Sequence, residues 1–418
     1  MSSTPFFDVR MKGFRERTSV ADVLRLLDER IAVLPSETVP LLECAGRVLA
    51  SSISSPVDVP GFTRSAMDGY AVRADETPGS LELIGESLPG RGFAGTVGPG
   101  QAVRIMTGAP LPAGADAVLM AELADEREGR VLARESTRPG KHIVRIGEDV
   151  TMGSEVLSAG RQLRPQDVGL LASVGIATVT VVCRPRVAIL VTGDELLPPG
   201  STPEGVRIVD SNSPMLAAFV ARDGGVCLPI SYVPDRFETV RDAIHFADAD
   251  VILVSGGSSV GTEDHAPRAV ASLGELAVHG IALRPAGPTG IGFLPSRVAF
   301  LLPGNPVSCL CAYDLFAGRA IRHLGGRNRE MPYRTFSLPL ATAVPSVVGR
   351  VDYVRVKVTD GSLEPLASGG ASNLSSTVVA DGFILIESER ASLEAGELVR
   401  AFLYDPHFTM EPTGPNLG

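Results

Sequence analysis

The sequence contains no tryptophan, few cysteines and no long apolar segment. No window approaches the roughly 18 apolar residues of a membrane-spanning helix, and the first residues lack the apolar core of a signal peptide. The five cysteines are odd in number and scattered, and most lie within apolar runs. We therefore predict a cytoplasmic protein with no membrane segment, in which the cysteines are reduced core residues rather than zinc ligands or disulfides.

Positive charge is also scarce. The net charge is −10, which gives no support for a nucleic-acid-binding surface. Any anion site must therefore be local, built from backbone amides and a few arginines. Neither a Walker A motif nor G-x-G-x-x-G occurs in the strand–helix block after Arg186, which argues against ordinary NTPases and dinucleotide-binding enzymes.

The spacing of apolar residues and of Gly/Pro breaks predicts a multidomain α/β protein. A helix over 18–32 is capped by Thr18 or Ser19. Another spans 165–173 and begins at Pro165, which suits a first helical turn. We predict an elongated α+β domain (15–55 and 147–182), a β-rich domain inserted into it (56–146), a doubly wound domain (183–326) and a C-terminal β-barrel (327–406).

The doubly wound domain is predicted from strands that alternate with helices, since this order is typical of a parallel sheet. The predicted strands are 187–192, 226–233, 251–255, 276–283 and 298–302, and the predicted helices are 213–222, 237–246, 268–273 and 306–324. Right-handed crossovers place the carboxyl ends of all these strands at one edge of the sheet.

Five loops therefore open at the same edge: 192–195, 234–236, 255–264, 284–290 and 303–306. The loop at 255–264, S-G-G-S-S-V-G-T-E-D, follows a buried apolar strand. Its glycines can turn backbone N–H groups towards one anion. Taken alone, the same stretch is equally typical of a flexible turn.

Acidic residues gather at this edge. They are Asp194, Glu195, Asp235, Glu263 and Asp264. Carboxylates beside an anion site repel the anion unless a divalent cation lies between them, so the pattern favours Mg²⁺. Any one of these acids alone is more often a solvated loop residue. Two loops of the inserted block, 61–70 and 104–116, are also polar, although turn chemistry alone explains each of them.

Six motifs in order resemble the MoeA/gephyrin family of molybdenum insertases. They are R-S-A-M-D-G-Y-A (64–71), R-I-M-T-G-A-P-L-P-A-G-A-D-A-V (104–118), G-E-D (147–149), T-G-D-E-L (192–196), S-G-G-S-S-V-G-x-x-D (255–264) and L-P-G-N-P-V-S (302–308). Together they span about residues 15–405.

The resemblance implies a four-domain chain with a MoaB/MogA-type, Rossmann-like central domain, and a homodimer. It also implies transfer of molybdate to adenylylated molybdopterin with release of AMP in the presence of Mg²⁺. In the family, the pocket lies between the doubly wound domain of one protomer and the inserted domain of the other. A molybdopterin adenylyltransferase and molybdoenzyme-maturation proteins are candidate partners, and no nucleic acid or membrane is implied.

The motifs also imply site residues. Those implied to be catalytic are Asp68, Thr107, Asp149, Glu195, Asp235 and Asp264, and the metal ligands among them are Glu195, Asp235 and Asp264. Those implied to bind substrate, including the terminal phosphate of the pterin, are Ser65, Gly193, Asp194, Ser255, Gly256, Gly257, Ser258, Ser259, Gly261, Arg284, Pro303, Gly304, Asn305, Pro306 and Ser308. The protein orders charges and hydrogen-bond donors around two anionic reactants.

An alternative hypothesis is a divergent paralogue that carries or delivers the pterin without inserting molybdenum. It is motivated by a segment in which many family members have lysines, whereas this chain has Gly280, Ala286 and Gly287, with Arg284 as the remaining cation. Arginine and lysine are not equivalent at a phosphate. A scaffolding role is a third hypothesis, but no long linker or fused domain supports it.

Overall fold

The structure is a computed structural model that describes residues 17–257, 265–366 and 372–405. The chain forms two units. One unit comprises residues 37–181, and the other comprises residues 1–36 and 182–418. The predicted division into four domains stays a prediction. No helix within the described ranges is long and apolar enough to cross a membrane.

The first helix, α1 (Val20–Arg30), begins where the sequence predicts. Ser19 is its N-cap, and the Ser19 hydroxyl accepts a hydrogen bond from the Asp22 backbone N–H at 3.1 Å. The buried side chains of Val23 and Leu27 pack in the core of the larger unit. The helix is amphipathic, as its sequence pattern indicates.

The unit of residues 37–181 is built mainly from short strands. They are β1 (Ser36–Pro40), β2 (Ile53–Ser54), β3 (Arg64–Ser65), β4 (Gly69–Val72), β5 (Gly79–Ser87), β6 (Gln101–Ile105), β7 (Ala117–Met120), β8 (Ala124–Arg127), β9 (Arg130–Ala133), β10 (Ile143–Val144), β11 (Glu155–Leu157) and β12 (Thr178–Val182). Six of them form one sheet in the order β7-β4-β6-β5-β9-β8. This sheet agrees with the strand-rich prediction for the block 56–146.

Helix α2 (Pro165–Ser173) has the predicted bounds. It packs with Val39, Leu49 and Leu157 in a core shared by the segments before and after the six-stranded sheet. Asp167 in its first turn is 3% exposed and accepts hydrogen bonds from the guanidinium groups of Arg164 and Arg161. These bonds hold the pKa of Asp167 well below its usual value, and the bond from Arg164 contributes most.

The Asp167→Asn variant is therefore expected to lose stability in a pH-dependent way. A lowered folded-state pKa contributes stability that is present above the usual value of 3.8 and is lost as the pH falls further. We expect the variant to be less stable by about 1–2 kcal/mol at neutral pH, because both arginines are partly exposed. Urea unfolding at pH 7 and at pH 3 measures this, and the difference from the unmodified protein should shrink at the lower pH. The exposed Asp125→Asn is the matched control.

The larger unit contains the predicted doubly wound sheet. Its strands are β13 (Arg186–Thr192), β14 (Leu196–Leu197), β15 (Ile208–Val209), β16 (Val226–Cys227), β17 (Ser231–Val233), β18 (Val251–Ser255), β19 (Glu275–His279), β20 (Leu283–Arg284), β21 (Gly290–Leu294) and β22 (Arg297–Leu302). Its helices are α3 (Asn212–Arg222), α4 (Phe237–Phe246), α5 (Ala266–Leu273), α6 (Pro306–Ala312), a π-helical turn (Tyr313–Ala317) and α7 (Gly318–Leu324). Alternate residues of β18 face two different hydrophobic cores, so both faces of the sheet are covered.

The sheet order is β16-β13-β18-β22-β21-β19, with β17 also paired to β13. The pairs among β13, β18 and β22 are parallel, whereas β21 is antiparallel to both of its neighbours. The sheet is therefore mixed, and the expectation of a purely parallel sheet was wrong. The missed strand β21 has glycine at alternate positions because a Cβ on Gly292 would lie 2.1 Å from Val270.

The predicted strand 276–283 is also interrupted. It ends as β19 at His279, and Leu283–Arg284 instead pairs with the C-terminal sheet as β20. That sheet contains β23 (Arg334–Pro339), β25 (Val351–Thr359), β26 (Ser362–Pro365), β27 (Gly382–Ile386) and β29 (Leu398–Leu403), with β24 (Val344–Pro345), β28 (Ser392–Leu393) and α8 (Ser375–Val379) beside it. A bridge between Leu340 and Leu363 brings the chain after β23 to β26, which gives a barrel-like closure.

All five cysteines are free thiols, as predicted. Cys309 and Cys311 are completely buried, and burial raises the pKa of both. They therefore behave as small apolar core residues.

Candidate functional site

Four strands of the doubly wound sheet end side by side. Thr192 at the end of β13 pairs with Val233 of β17, and Ser255 at the end of β18 pairs with Leu302 of β22. The fifth loop opens at the same edge, because Gly290, the first residue of β21, pairs with Leu301. The structure therefore brings the five predicted loops to one edge.

The loop after β18 packs against its neighbours without room for a side chain. Gly256 has a φ of +93°, and a Cβ added there would lie 2.5 Å from the carbonyl oxygen of Thr192. The Gly256 N–H donates to the carbonyl of Leu302 at 3.1 Å. Gly257 follows with a φ of +60°. Successive residues with positive φ favour glycine, which accounts for the two glycines at these positions.

The remainder of this loop lies outside the described residues. The predictions for Ser258, Ser259, Gly261 and Asp264, and the acidic residue Glu263, fall there. Their roles stay predictions.

Two of the predicted acidic loops are in contact. The Asp194 carboxylate accepts a hydrogen bond from the Asp235 backbone N–H at 3.3 Å. Asp194 and Glu195 are exposed, while Asp235 is half-buried. The Glu195 carboxylate lies against Gly193, where a Cβ would come within 2.9 Å of an oxygen. Asp194 and Asp235 are therefore next to each other, and Glu195 belongs to the same loop as Asp194.

These acids suit a hard divalent cation in their chemistry, since carboxylate oxygens are the ligands that Mg²⁺ prefers. Among residues 17–257, 265–366 and 372–405 there is no group of three or more His, Cys, Asp or Glu side chains positioned to hold a metal ion. Of the three predicted ligands, Glu195 and Asp235 are described and Asp264 is not.

The loop before α6 also lies at this edge. Pro303 is buried, Gly304 and Asn305 are exposed, and Pro306 occupies the first turn of the helix. Ser308, the third residue of the helix, is 4% exposed. A Cβ on Gly304 would lie 3.8 Å from the Cα of Gly256, so the two glycine-containing loops touch.

Sequence reasoning missed Asp210 and Asn212, which organise this edge. Asp210 is 4% exposed and accepts hydrogen bonds from the Asn212 and Ser213 backbone N–H groups and from the Tyr232 hydroxyl. The Asn212 side-chain amide donates to Ser255 Oγ at 3.1 Å and to the Gly304 carbonyl at 2.8 Å. The run Asp210, Ser211 and Asn212 at the start of α3 is a helix-start signal, and that signal could have placed these residues at the edge.

Arg284 lies in β20 and binds the C-terminal sheet. Its guanidinium contacts the carboxylate of Asp352 at 2.6 Å, and Asp352 is completely buried. Arg350 and Ser346 contact the same carboxylate at 3.0 and 2.9 Å. The charge of Arg284 is therefore partly balanced within the protein.

The unit of residues 37–181 holds the other predicted residues. Asp68 and Thr107 are brought together, because the Asp68 carboxylate accepts from the Thr107 backbone N–H at 2.6 Å and from its hydroxyl at 2.8 Å. Both bonds lower the pKa of Asp68, that from the backbone N–H more. Ser65 is buried, and its hydroxyl bonds to the Met67 carbonyl. Asp149 is exposed, and its backbone N–H donates to Val59 rather than to this pair.

Comparison with known families agrees with this architecture along the chain. Residues 18–175 match the MoeA N-terminal region (domain I and II), residues 188–323 match a probable molybdopterin binding domain, and residues 337–404 match the MoeA C-terminal region (domain IV). The match at 188–323 covers all five loops of the sheet edge.

Relatives and solved structures extend the match to nearly the whole chain. The molybdopterin molybdenumtransferase of Haemophilus influenzae is 34% identical over 94% of this chain and 98% of its own. Molybdopterin molybdenumtransferase 2 of Mycobacterium tuberculosis is 37% identical over 78% of this chain and 84% of its own. The molybdopterin biosynthesis MoeA protein of Pyrococcus horikoshii superposes with a TM-score of 0.80 at 33% identity, over 93% of this chain and 100% of its own.

The fold and the sheet edge thus define a multidomain α/β protein of MoeA type. The chain belongs to the MoeA family, whose relatives named above are transferases. The family resemblance predicted from the six motifs is confirmed.

Proposed function

We propose that this protein inserts molybdate into adenylylated molybdopterin with release of AMP, as a step of molybdenum cofactor biosynthesis. The observation that carries the proposal is the sheet edge, where the tight loop at Gly256 lies among loops that include the contacting acids Asp194 and Asp235. Relatives named molybdopterin molybdenumtransferase support a role in molybdenum cofactor biosynthesis.

The residues of the sheet edge have distinct tasks in this proposal. The backbone N–H groups that follow Gly256 bind the terminal phosphate of the pterin, because the positive φ values of Gly256 and Gly257 turn neighbouring amides to one side. Glu195 and Asp235 would hold Mg²⁺, which offsets the negative charge of the phosphoanhydride when it is bound. Asn305 and Pro306 belong to the loop before α6, which touches the loop at Gly256 through Gly304.

Asp68 and Thr107 have a different task. The two hydrogen bonds from Thr107 keep Asp68 ionised and fix its direction. A fixed carboxylate can orient a water molecule or a donor group of the substrate without rearranging during the reaction. Asp149 is assigned to the same reaction by its motif.

The test is AMP release by the purified protein from adenylylated molybdopterin, with and without molybdate. We expect AMP to appear only with molybdate, together with a product that activates a molybdoenzyme. Pterin binding without AMP release would instead favour a carrier that delivers the pterin. A protein that neither binds molybdopterin nor releases AMP would contradict both.

Removal of Mg²⁺ is expected to stop the reaction. We predict that EDTA lowers AMP release at least about 100-fold and that added Mg²⁺ restores it, because the acids at the edge repel an anionic substrate in the absence of a cation. The Glu195→Gln variant should need about tenfold more Mg²⁺ for half-maximal rate. Glu204→Gln, at an exposed position of the same unit, is the control. Undiminished AMP release in EDTA would exclude this role for the acids.

We also propose that the protein acts as a homodimer and receives its substrate from a molybdopterin adenylyltransferase. Light scattering coupled to size-exclusion chromatography measures the first, with twice the monomer mass of 43.7 kDa expected. Transfer of adenylylated pterin in the presence of a protein that traps free pterin tests the second.

A further inference from the structure

Asn212 links two loops of the proposed phosphate site. It is the first residue of α3, and its side chain is 6% exposed. Its Nδ2 donates to the Ser255 hydroxyl, at the end of β18, and to the Gly304 carbonyl, in the loop before α6. A single amide group therefore holds together the two loops that contact each other at Gly256 and Gly304.

The orientation of this amide follows from its partners. The Gly304 carbonyl can only accept a hydrogen bond, so the atom 2.8 Å from it must be the donor nitrogen and not the oxygen. The Asn212 Oδ1 atom is thereby placed on the other branch of the same planar group. Because Oδ1 is bonded to the same carbon as Nδ2, it also lies near Ser255 and Gly304.

The Asn212 Oδ1 atom is buried, and within the described ranges it accepts no hydrogen bond. Burying a polar atom without a partner costs free energy, and such atoms are rare in folded proteins. The backbone N–H of Asn212 donates to Asp210, and its Nδ2 has two acceptors. The unpartnered oxygen thus belongs to the side chain that joins two loops of the proposed phosphate site.

We propose that Asn212 is a substrate-binding residue whose Oδ1 accepts a hydrogen bond from an N–H or O–H group of the bound pterin, while its Nδ2 positions the two loops around the phosphate. The proposal rests on the proposed function. The partner of Oδ1 must be a donor, and the oxygens of molybdate and of an ionised phosphate only accept. The donor therefore belongs to the organic part of the substrate, which a pterin with its ring N–H and amino groups supplies.

The experiment compares two probes and two variants by calorimetric titration. Molybdopterin carries donors, whereas inorganic pyrophosphate supplies essentially acceptors. Ser255→Ala removes one of the bonds that hold the loops and leaves Oδ1 in place, whereas Asn212→Ala removes both functions. We expect Ser255→Ala to weaken both probes by a similar factor of a few, and Asn212→Ala to weaken molybdopterin about tenfold more than it weakens pyrophosphate.

A measurement on the unmodified protein covers the case in which Asn212→Ala does not fold. The side-chain ¹³Cγ resonance of Asn212 should shift when molybdopterin is added and stay unchanged with pyrophosphate. The exposed Asn328 is the control, and Asn328→Ala should bind both probes normally.

Two results would overturn the proposal in different ways. If the unmodified protein binds molybdopterin but Asn212→Ala weakens both probes equally, or the ¹³Cγ resonance does not move, Asn212 has no contact with the pterin and the proposed function stands. If the unmodified protein releases no AMP and binds no molybdopterin, the proposed function falls and the proposal for Asn212 falls with it.

Discussion

Replacing Asp68 by Asn is expected to lower AMP release at saturating substrate at least about 100-fold, since charge fixed in advance for the transition state accounts for effects of this size. The carboxylate is held by two hydrogen bonds from Thr107 and is exposed. The variant keeps the shape of the side chain and loses the charge. A steady-state assay should therefore show a fall in kcat rather than a rise in KM alone.

The fold should tolerate the Asp68 change, because the side chain is exposed. We expect the melting temperature to stay within experimental scatter, and Asp75→Asn, at another exposed position of the same unit, to leave both rate and stability unchanged. Because the pKa of Asp68 is lowered, the acid limb of the pH–rate profile should not arise from this residue. A D68N protein that releases AMP at the normal rate would remove Asp68 from the mechanism.

The Gly256→Ala variant is expected to show the second large effect, a loss of molybdopterin affinity of at least about 100-fold. The new Cβ would lie 2.5 Å from the Thr192 carbonyl oxygen, so the loop must move. The φ of +93° adds strain for any residue with a side chain. The two effects together should also lower the free energy of unfolding by about 2–4 kcal/mol.

The Gly200→Ala variant is the control for Gly256→Ala, because it introduces the backbone strain of a positive φ without the steric clash of the new Cβ. Gly200 has a φ of +90°, and no atom of the described residues lies within 4 Å of the position that a Cβ would take there. This variant should lose about 1 kcal/mol of stability and bind molybdopterin normally. Equal affinities for Gly256→Ala and Gly200→Ala would show that the loop at Gly256 does not contact the ligand.

The sequence predicted the elements with strong periodicity. Helices α2 and α4 and strand β18 have the predicted bounds, because proline, capping residues and β-branched runs mark them clearly. The convergence of the loops followed from crossover handedness, which does not depend on the details of packing. Asp194 and Asp235 are in contact because their two loops converge at this edge.

Features that depend on tertiary contacts were missed. Strand β21 was missed because it contains two glycines, which have low strand propensity. Gly292 packs against Val270 and Gly290 against Leu301. The continuous helix predicted over 306–324 contains a π-helical turn at Tyr313–Ala317, which no apolar spacing reveals. Asn212 was not singled out, because it precedes the predicted helix 213–222, and only the bonds to Ser255 and Gly304 show what its side chain does.

Strand β20 has a consequence for the folding of the larger unit. Its two residues, Leu283 and Arg284, lie in sequence between β19 and β21, yet they pair with β25 of the C-terminal sheet. The Arg284–Asp352 ion pair adds a second tie at the same place. Neither region can lose its structure without exposing a strand edge of the other. A protein shortened before β23 would therefore keep an unpaired strand edge at β20, and we expect it to be less stable than the full chain.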